Sequence, residues 1–236
     1  VASGQWIAVH GCGGLGLSAI MIAHAFEAKV IAIDIDKSSL DLAKSFGADV
    51  TINSTEEKDI IASEVGYHGN TNMCVDISSY KFDGKGGKGA PEHTHIFPIP
   101  NAFRGKYRGN NTADKYAEEV KNCINNIQRK GRNVAAFIIE PIISCGGQVE
   151  LPEGFLPKAY QLIREARGVC ISDEVQTGCG RMGKTFWGFQ LHNVVPDIVT
   201  IGKPLGNGHP VAAVACTQEV ADAFANGMEY FNTFGG

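Results

Sequence analysis

The chain has 236 residues, of which 44% are hydrophobic, and a formal net charge of -4. Such a chain can bury one large core or two small ones, so we expect a globular protein. No charge run is strong enough to indicate a nucleic-acid partner, and the longest apolar window, residues 17–26, is too short to span a bilayer. The composition therefore excludes a nucleic-acid-binding protein and a membrane-spanning protein.

The seven cysteines are scattered and never form a C-x-x-C pair. An odd number of scattered cysteines favours reduced thiols, and hence a cytoplasmic location, over a disulfide framework. The chain opens at Val1 without a methionine or a basic leader, so we expect no signal peptide and a start that is internal to a longer parent.

The first third of the chain alternates apolar strands with helices. A short strand is predicted at Trp6–His10, and a glycine turn leads from it into a helical pattern. A second strand follows at 30–33, then a helix at 38–46 that ends at Gly47, then a third strand at 50–52. This order is typical of βαβ units.

The glycine turn carries a dinucleotide-binding pattern. Gly11, Gly13 and Gly16 satisfy G-x-G-x-x-G between a strand and a helix, and Asp34 closes the second strand. The three glycines allow, in order, a tight turn, close approach to a pyrophosphate, and close packing of helix on strand. Asp34 would accept hydrogen bonds from a ribose 2′-hydroxyl and repel a 2′-phosphate, so NAD is predicted over NADP.

Residues 6–53, from WIAVHGCGGLG to ADVTIN, resemble the coenzyme domain of the zinc-type medium-chain alcohol dehydrogenases, and the resemblance covers roughly residues 1–62. It implies an NAD-binding module. That family takes its catalytic zinc from a Cys/His/Cys set in a separate domain, which we do not find here, so dehydrogenase activity is not expected. His93 and His95, near Glu92, are interpreted as polar surface, and no metal site is predicted.

From Tyr67 onward the pattern changes. A long amphipathic helix is predicted with Thr112 as its N-cap and Gly131 as its stop. Near-continuous apolar strands separated by a helix then predict a buried, mostly parallel sheet. These strands are predicted at 134–140, 168–174 and 197–202, with the intervening helix near 158–167.

Three of these strands end in polar residues. Glu140 ends the first, Asp173 and Glu174 end the second, and Lys203 follows the third. Ligands of open parallel sheets bind beyond the carboxyl ends of the strands. Pyridoxal phosphate (PLP) needs a lysine for its Schiff base and an acid that keeps its pyridine nitrogen protonated. Lys203 and Asp173 fit that pair, although an ordinary buried ion pair would give the same pattern.

Two motifs, CISDEVQTGCGRMG (170–183) and PDIVTIGKPLGNGHP (196–210), resemble the signature of the class III aminotransferases, a PLP-dependent family of fold type I. The segments FRGKYRG (103–109), SCGGQ (144–148) and GMEYFNTFGG (227–236) resemble, more narrowly, the ethanolamine-phosphate phospholyase branch. Members of that branch eliminate ammonia and phosphate instead of transaminating. The resemblance covers residues 66–236.

The resemblance implies a role for each matching residue. Lys203 would form the Schiff base, and Asp173 would pair with the pyridine nitrogen. Val175 would press on one face of the ring, Tyr67 would stack on the other, and Gln176 would approach the ring hydroxyl.

The resemblance also implies a substrate and a partner. Thr233 would reach the PLP phosphate of a neighbouring subunit, which implies a homodimer, and Glu140 would lie near the substrate. The substrate would be a small amine, an amino acid or a phosphoamine. His68 is interpreted as a structural neighbour of Tyr67 and not as a general base.

The predicted fold class is α/β, with a mostly parallel sheet and helices on both faces. Rossmann-like βαβ units at 1–64 are joined to a fold-type-I PLP large-domain segment at 65–236. Class III enzymes carry a phosphate-binding turn upstream of the YHG sequence, and here the Gly11–Gly16 turn occupies that place in the chain. One continuous sheet and two loosely tethered pieces both remain possible.

Three functions follow as alternatives. The first is a PLP-dependent aminotransferase or phospholyase, or a fragment of one, and Lys203 and Asp173 favour it. The second is an NAD-binding module of the alcohol dehydrogenase type. The third is a catalytically silent chimera of the two, whether it arose naturally, by artefact or by engineering.

Overall fold

The chain divides into two compact units, Val1–Lys58 and Asp59–Gly236. We call them the first unit and the second unit. The computed structural model describes residues 3–34, 36–53 and 59–225. Each unit combines helices with a mainly parallel sheet, as the sequence predicted.

The first unit contains three parallel strands joined by two helices. The strands lie in the order β1-β2-β3, and each neighbouring pair is parallel. The first unit therefore contains two consecutive βαβ units, in agreement with the sequence pattern. The elements are β1 (Trp6–His10), α1 (Gly14–Ala25), β2 (Lys29–Asp34), α2 (Lys37–Ser45) and β3 (Val50–Asn53).

Local chemistry fixes both helix starts in the first unit. Gly11 has φ +85°, and a Cβ added at Gly16 would lie 1.8 Å from the Gly11 carbonyl oxygen. This is the close approach of helix to strand that the third glycine was predicted to allow. The second helix begins at an N-cap, because the Asp36 carboxylate accepts a hydrogen bond from Ser39 N at 2.8 Å.

The second unit contains a six-stranded sheet in the order β11-β10-β9-β6-β4-β5. All its neighbouring strands are parallel except β10 and β11. A small antiparallel pair, β7 and β8, follows β6. The strands are β4 (Asp59–Ser63), β5 (Thr94–Phe97), β6 (Val134–Ile139), β7 (Ile142–Ile143), β8 (Val149–Glu150), β9 (Val169–Asp173), β10 (Ile198–Ile201) and β11 (Ala213–Cys216).

Five α-helices and two 3₁₀ turns accompany this sheet in the described residues. The longest helix begins at Thr112, after Asn111 with φ 60°, so Thr112 is the first helical residue and not the predicted N-cap. The helices are α3 (Asn72–Asp76), α4 (Ser79–Phe82), α5 (Thr112–Arg129), α6 (Phe155–Glu165) and α7 (Gln218–Ala225), and the 3₁₀ turns are Gly188–His192 and Lys203–Gly206.

The sheet of the second unit is packed on both faces, as alternation along its central strands requires. On one face, Ile61 of β4 and Phe137 of β6 belong to a core with residues of α5 and α6. On the other face, Ala62 and Ile138 form a smaller cluster with Ile77. The alternation confirms the predicted mostly parallel sheet with helices on both faces.

The division between the units lies before β4, whereas the sequence placed the boundary between residues 64 and 65. The reason is that β4 pairs with both β5 and β6 of the second unit. Its first residue, Asp59, is buried and accepts from Arg132 Nε at 2.6 Å and pairs with His95 Nε2 at 2.7 Å. The strands that the structure describes form separate sheets in the two units, so they do not build the single continuous sheet that the sequence left open.

No helix in the described residues is both long enough and apolar enough to cross a membrane. All seven cysteines lie in the described residues and are free. Burial raises the pKa of Cys123 to about 11 and that of Cys170 to about 12. These two thiols therefore stay protonated and are poor nucleophiles.

Candidate active site

The carboxyl ends of three adjacent strands, β6, β9 and β10, carry the predicted polar residues of the second unit. Glu140 follows β6, Asp173 is the last residue of β9, and Lys203 comes shortly after the end of β10. Parallel strands present their carboxyl ends at one edge of a sheet, which is where ligands of such sheets bind. The three residues therefore share one edge, as the sequence predicted.

Asp173 is a buried carboxylate with donors on both oxygens. Its Oδ1 accepts from Val175 N at 3.1 Å and from Thr200 Oγ1 at 3.1 Å. Its Oδ2 lies 2.8 Å from His68 Nδ1, and the Asp173 side chain is 6% exposed. The Asp173 carboxylate is therefore held in one orientation by neighbours on both of its oxygens.

Glu140 is also buried, and it accepts hydrogen bonds from two separate segments of the chain. Its Oε1 accepts from Ser144 Oγ at 2.5 Å, and its Oε2 accepts from Tyr67 N at 3.4 Å. Burial raises the pKa of Glu140 above its ordinary value, the hydroxyl of Ser144 opposes that shift, and the charge of Asp173 adds to it.

Lys203 begins a 3₁₀ turn and has an unusual backbone conformation. Its φ is 30°, in the left-handed region that residues with a side chain rarely adopt. The preceding Gly202 lies against the turn after β9, because a Cβ added there would be 3.3 Å from Val175 Cγ1. The side chain of Lys203 is exposed. The lysine is thus held on a strained turn next to the Asp173–Val175 segment.

Two other predicted cofactor contacts lie around this edge. Tyr67 is half-buried and meets Tyr80 edge-on, with ring centroids 6.0 Å apart. Gln176 is half-buried and directly follows Val175. Thr233, the predicted contact to the phosphate of a neighbouring subunit, lies outside the described residues.

The predicted dinucleotide residues belong to the first unit. Gly11 lies in the turn between β1 and α1, Gly13 is the N-cap of that helix, and Gly16 lies in its first turn. The carboxylate of Asp34 accepts from Cys12 N at 2.5 Å and from Asp36 N at 2.8 Å. The turn is therefore closed by hydrogen bonds to the acid that was predicted to bind a ribose.

Sequence reasoning missed the side chains that support the predicted acids. Ser144 gave a signal in the sequence, because it lies only four residues after Glu140 and begins the SCGGQ segment. Thr200 and His68 approach Asp173 only through strand register and tertiary folding. Glu174, predicted at a strand end, is fully buried and instead anchors the following loop through Thr177 Oγ1 at 2.6 Å and two main-chain N–H groups.

In the part of the chain that the structure describes, no group of three or more His, Cys, Asp or Glu side chains is arranged to hold a metal ion. His95 pairs with the buried Asp59 at 2.7 Å. His93 Nε2 lies 3.9 Å from Asp76. These two histidines therefore take part in separate pairs with carboxylates.

The aminotransferase class-III family matches residues 35–236 of this chain. The match includes both signature motifs and all the residues at the sheet edge described above. The chain belongs to the class III aminotransferase family.

Two curated relatives and one solved structure illustrate the likeness. A Drosophila melanogaster protein named alanine–glyoxylate aminotransferase 2-like is 44% identical over 78% of this chain and 38% of its own length. A Caenorhabditis elegans ethanolamine-phosphate phospho-lyase homolog is 40% identical over 77% of this chain and 42% of its own length. A phospholyase from Arthrobacter, solved in complex with phosphoethanolamine, is 34% identical with TM-score 0.67, over 75% of this chain and 41% of that one.

These matches bear on the two cofactors differently. The chain spans about two fifths of the length of these curated relatives, 38% and 42%. Class III aminotransferases and phospholyases use PLP, which supports the prediction of that cofactor. The family match begins at residue 35 and so takes in α2 and β3, which the resemblance to alcohol dehydrogenases had assigned to an NAD-binding segment. The comparisons give no support to NAD or to a chimera.

Proposed function

We propose that the second unit binds PLP through Lys203 and Asp173 and serves the small-amine chemistry of a class III aminotransferase or phospholyase. One observation carries the proposal. Asp173 and Thr200 are register partners on β9 and β10, and Thr200 Oγ1 donates to Asp173 at 3.1 Å. The strand that leads to Lys203 is therefore bonded to the acid that the cofactor needs.

The side chains at the sheet edge match the groups of PLP. When bound, PLP supplies an electron sink for a carbanion at the amine-bearing carbon. Lys203 would attach the cofactor covalently, and Asp173 would hold a proton on the pyridine nitrogen. Val175 and Tyr67 would contact opposite faces of the ring, and Gln176 would approach the ring hydroxyl.

In our proposal, Glu140 stabilises the main chain around the site and does not bind the substrate directly. Both of its oxygens are used within the protein, by Ser144 and by the main chain of Tyr67. Glu140 would thereby fix the main chain that carries the stacking ring of Tyr67. Thr233 would complete the phosphate site of a neighbouring subunit, which makes the active form a homodimer.

The proposed substrate is a small amine, and a phosphoamine is favoured among them. Support comes from the segments that resemble the phospholyase branch and from the Arthrobacter enzyme solved with phosphoethanolamine. Elimination from phosphoethanolamine consumes one water and yields ammonia, inorganic phosphate and acetaldehyde. Transamination would instead consume a keto acid and release no phosphate, so phosphate release separates the two reactions.

The test is an absorption spectrum of the purified protein after incubation with PLP and gel filtration. We expect a band in the visible or near-ultraviolet that the Lys203→Ala variant lacks. Lys121→Ala, an exposed lysine on α5, is the matched control and should keep the band. A band that survives in Lys203→Ala, or no band in the parent, would overturn the proposal.

Dinucleotide binding by the first unit is a second candidate. The observation in its favour is the geometry of the glycine turn, where the close approach of Gly16 to Gly11 leaves no room for a side chain. NADH fluorescence titration tests it, with Asp34→Ala as the variant. Binding that is equal in the parent and in Asp34→Ala would exclude the predicted ribose contact.

A further inference from the structure

The imidazole of His68 is buried directly behind Asp173. Its side chain is 1% exposed, and Nδ1 lies 2.8 Å from Asp173 Oδ2. A carboxylate accepts hydrogen bonds, so Nδ1 must carry a proton and donate it into this contact. The other ring nitrogen, Nε2, is buried and has no hydrogen-bond partner among the residues that the structure describes. Within that part of the chain, the bond to Asp173 is the single hydrogen bond of the ring.

Short-range contacts hold this ring in one orientation. The main-chain N of His68 donates to Ser78 Oγ at 2.8 Å, and Ser78 Oγ donates to Cys74 O at 2.5 Å. On the other side, a Cβ added at Gly66 would lie 3.1 Å from His68 Nε2. The backbone is anchored and the ring is closely packed, so Nδ1 has little freedom to leave the carboxylate.

His68 completes a set of three donors around one carboxylate. Val175 N and Thr200 Oγ1 occupy Oδ1, and His68 occupies Oδ2. Each donor lowers the proton affinity of a carboxylate, because each stabilises the charged form. A proton shared between Asp173 and a pyridine nitrogen then rests on the nitrogen. With a donor removed, the carboxylate competes better for that proton.

We propose that His68 is a positioning residue which, through Asp173, keeps the proton on the pyridine nitrogen of PLP. The inference rests on the proposed function, because it takes PLP as the ligand of Asp173. It adds to the sequence-based interpretation of His68 as a structural neighbour of Tyr67 and not a general base. The role depends on the Nδ1–H donor and on no other polar atom of the ring.

Two substitutions separate the donor from the bulk of the ring. His68→Phe keeps an aromatic ring of similar size and removes the hydrogen bond. His68→Asn places an amide N–H close to the position of Nδ1 and can restore the bond. Thr200→Val removes a second donor to Asp173 and leaves His68 intact, so it tests the same effect from another strand.

The readout is the ¹⁵N chemical shift of the pyridine nitrogen in protein loaded with ¹⁵N-labelled PLP. We expect a protonated nitrogen in the parent and in His68→Asn, and a shift toward the neutral pyridine value in His68→Phe and, to a smaller extent, in Thr200→Val. The dissociation constant of PLP should rise roughly ten-fold in His68→Phe, as expected for loss of a hydrogen bond to a charged group.

Three results decide the matter. Equal ¹⁵N shifts in the parent and in folded His68→Phe would overturn the inference while leaving the proposed function intact. A neutral pyridine in both His68→Phe and folded His68→Asn would also overturn it, because the donor would not be what matters. No Lys203-dependent absorption band in the parent would overturn the proposed function itself, and the role of His68 with it. Circular dichroism confirms that each variant is folded.

Discussion

Each unit has a parallel strand that ends in an aspartate, but the two carboxylates are held in different ways. In the first unit, Asp34 accepts from the main chain of Cys12 and of Asp36. In the second unit, Asp173 accepts from side chains of His68 and Thr200 in addition to the nearby Val175 N. Asp34 closes its own turn, whereas Asp173 joins distant parts of the fold.

The hydrophobic cores of the two units also differ, in the size of their side chains. The core of the first unit is built mainly from small and branched aliphatic residues, among them Val30, Ala32 and Ala43. The second unit buries large aromatic side chains completely, including Phe137 and Tyr160. Burial of large side chains supplies the stability that can hold polar groups in a buried site. The comparison teaches that a shared strand-end pattern becomes a candidate active site only where distant residues converge on it.

The largest expected effect on stability comes from neutralising Asp59, the buried carboxylate at the first residue of β4. Asp59→Asn should lower the free energy of unfolding by about 3 kcal/mol, because it removes the buried negative charge that pairs with Arg132 Nε and His95 Nε2. Trp187 reports on this unit in a Trp6→Phe background, by fluorescence during urea unfolding. Glu118→Gln removes an exposed ion pair of 3.9 Å and should leave the midpoint unchanged. An equal stability for Asp59→Asn and the parent would contradict the assignment of β4 to this unit.

A smaller effect on stability is expected from adding a methyl group at Gly16, which lies very close to the main chain of Gly11 in the first unit. Gly16→Ala places a Cβ 1.8 Å from the Gly11 carbonyl oxygen, so it should destabilise this unit by about 2 kcal/mol. Gly14→Ala is the matched control, because its Cβ meets no atom within 4 Å and alanine is the better helix former. Trp6 fluorescence in a Trp187→Phe background follows the unfolding. Equal destabilisation by the two alanines would show that the close approach does not exist.

The smallest effect is a pH dependence at the candidate site. Burial raises the pKa of Glu140 above the ordinary 4.5, so ionisation of this group costs the folded state stability. The penalty is absent below that value and grows as the pH rises through the raised pKa. Glu140→Gln cannot ionise, so its stability relative to the parent should improve as the pH rises from 4.5 through the raised pKa and should then level off. A difference that is constant with pH would contradict the raised pKa.

The sequence predicted the strands that form clear apolar runs, including β6, β9 and β10, and missed the short strand whose formation depends on its partners. The strands β1 and β2 and the turn between β1 and α1 follow from apolar runs and glycine spacing. The strand β4 was missed, since its short run DIIAS is completed only by pairing with β5 and β6. The division between the two units, at Lys58 and Asp59, differs from the predicted 64/65 because of the same strand pairing.

The candidate site follows the same rule. The positions of Asp173 and Lys203 at strand ends were predicted because polar residues stand out after apolar runs, and their roles toward PLP stay predictions. The contact of His68 with Asp173 joins positions 105 residues apart, and no spacing in the sequence encodes it. The left-handed φ of Lys203 likewise arises from the surrounding fold, because lysine has no preference for that conformation.

The most direct test of the site is chemical mapping of the lysine that PLP modifies. The protein is incubated with PLP, reduced with sodium borohydride to trap the attached cofactor, digested and analysed by mass spectrometry. We predict that the modification lies on Lys203 at a stoichiometry near one per chain. Modification spread evenly over exposed lysines such as Lys85 and Lys88, with Lys203 not enriched, would contradict the central claim that this sheet edge is a PLP site.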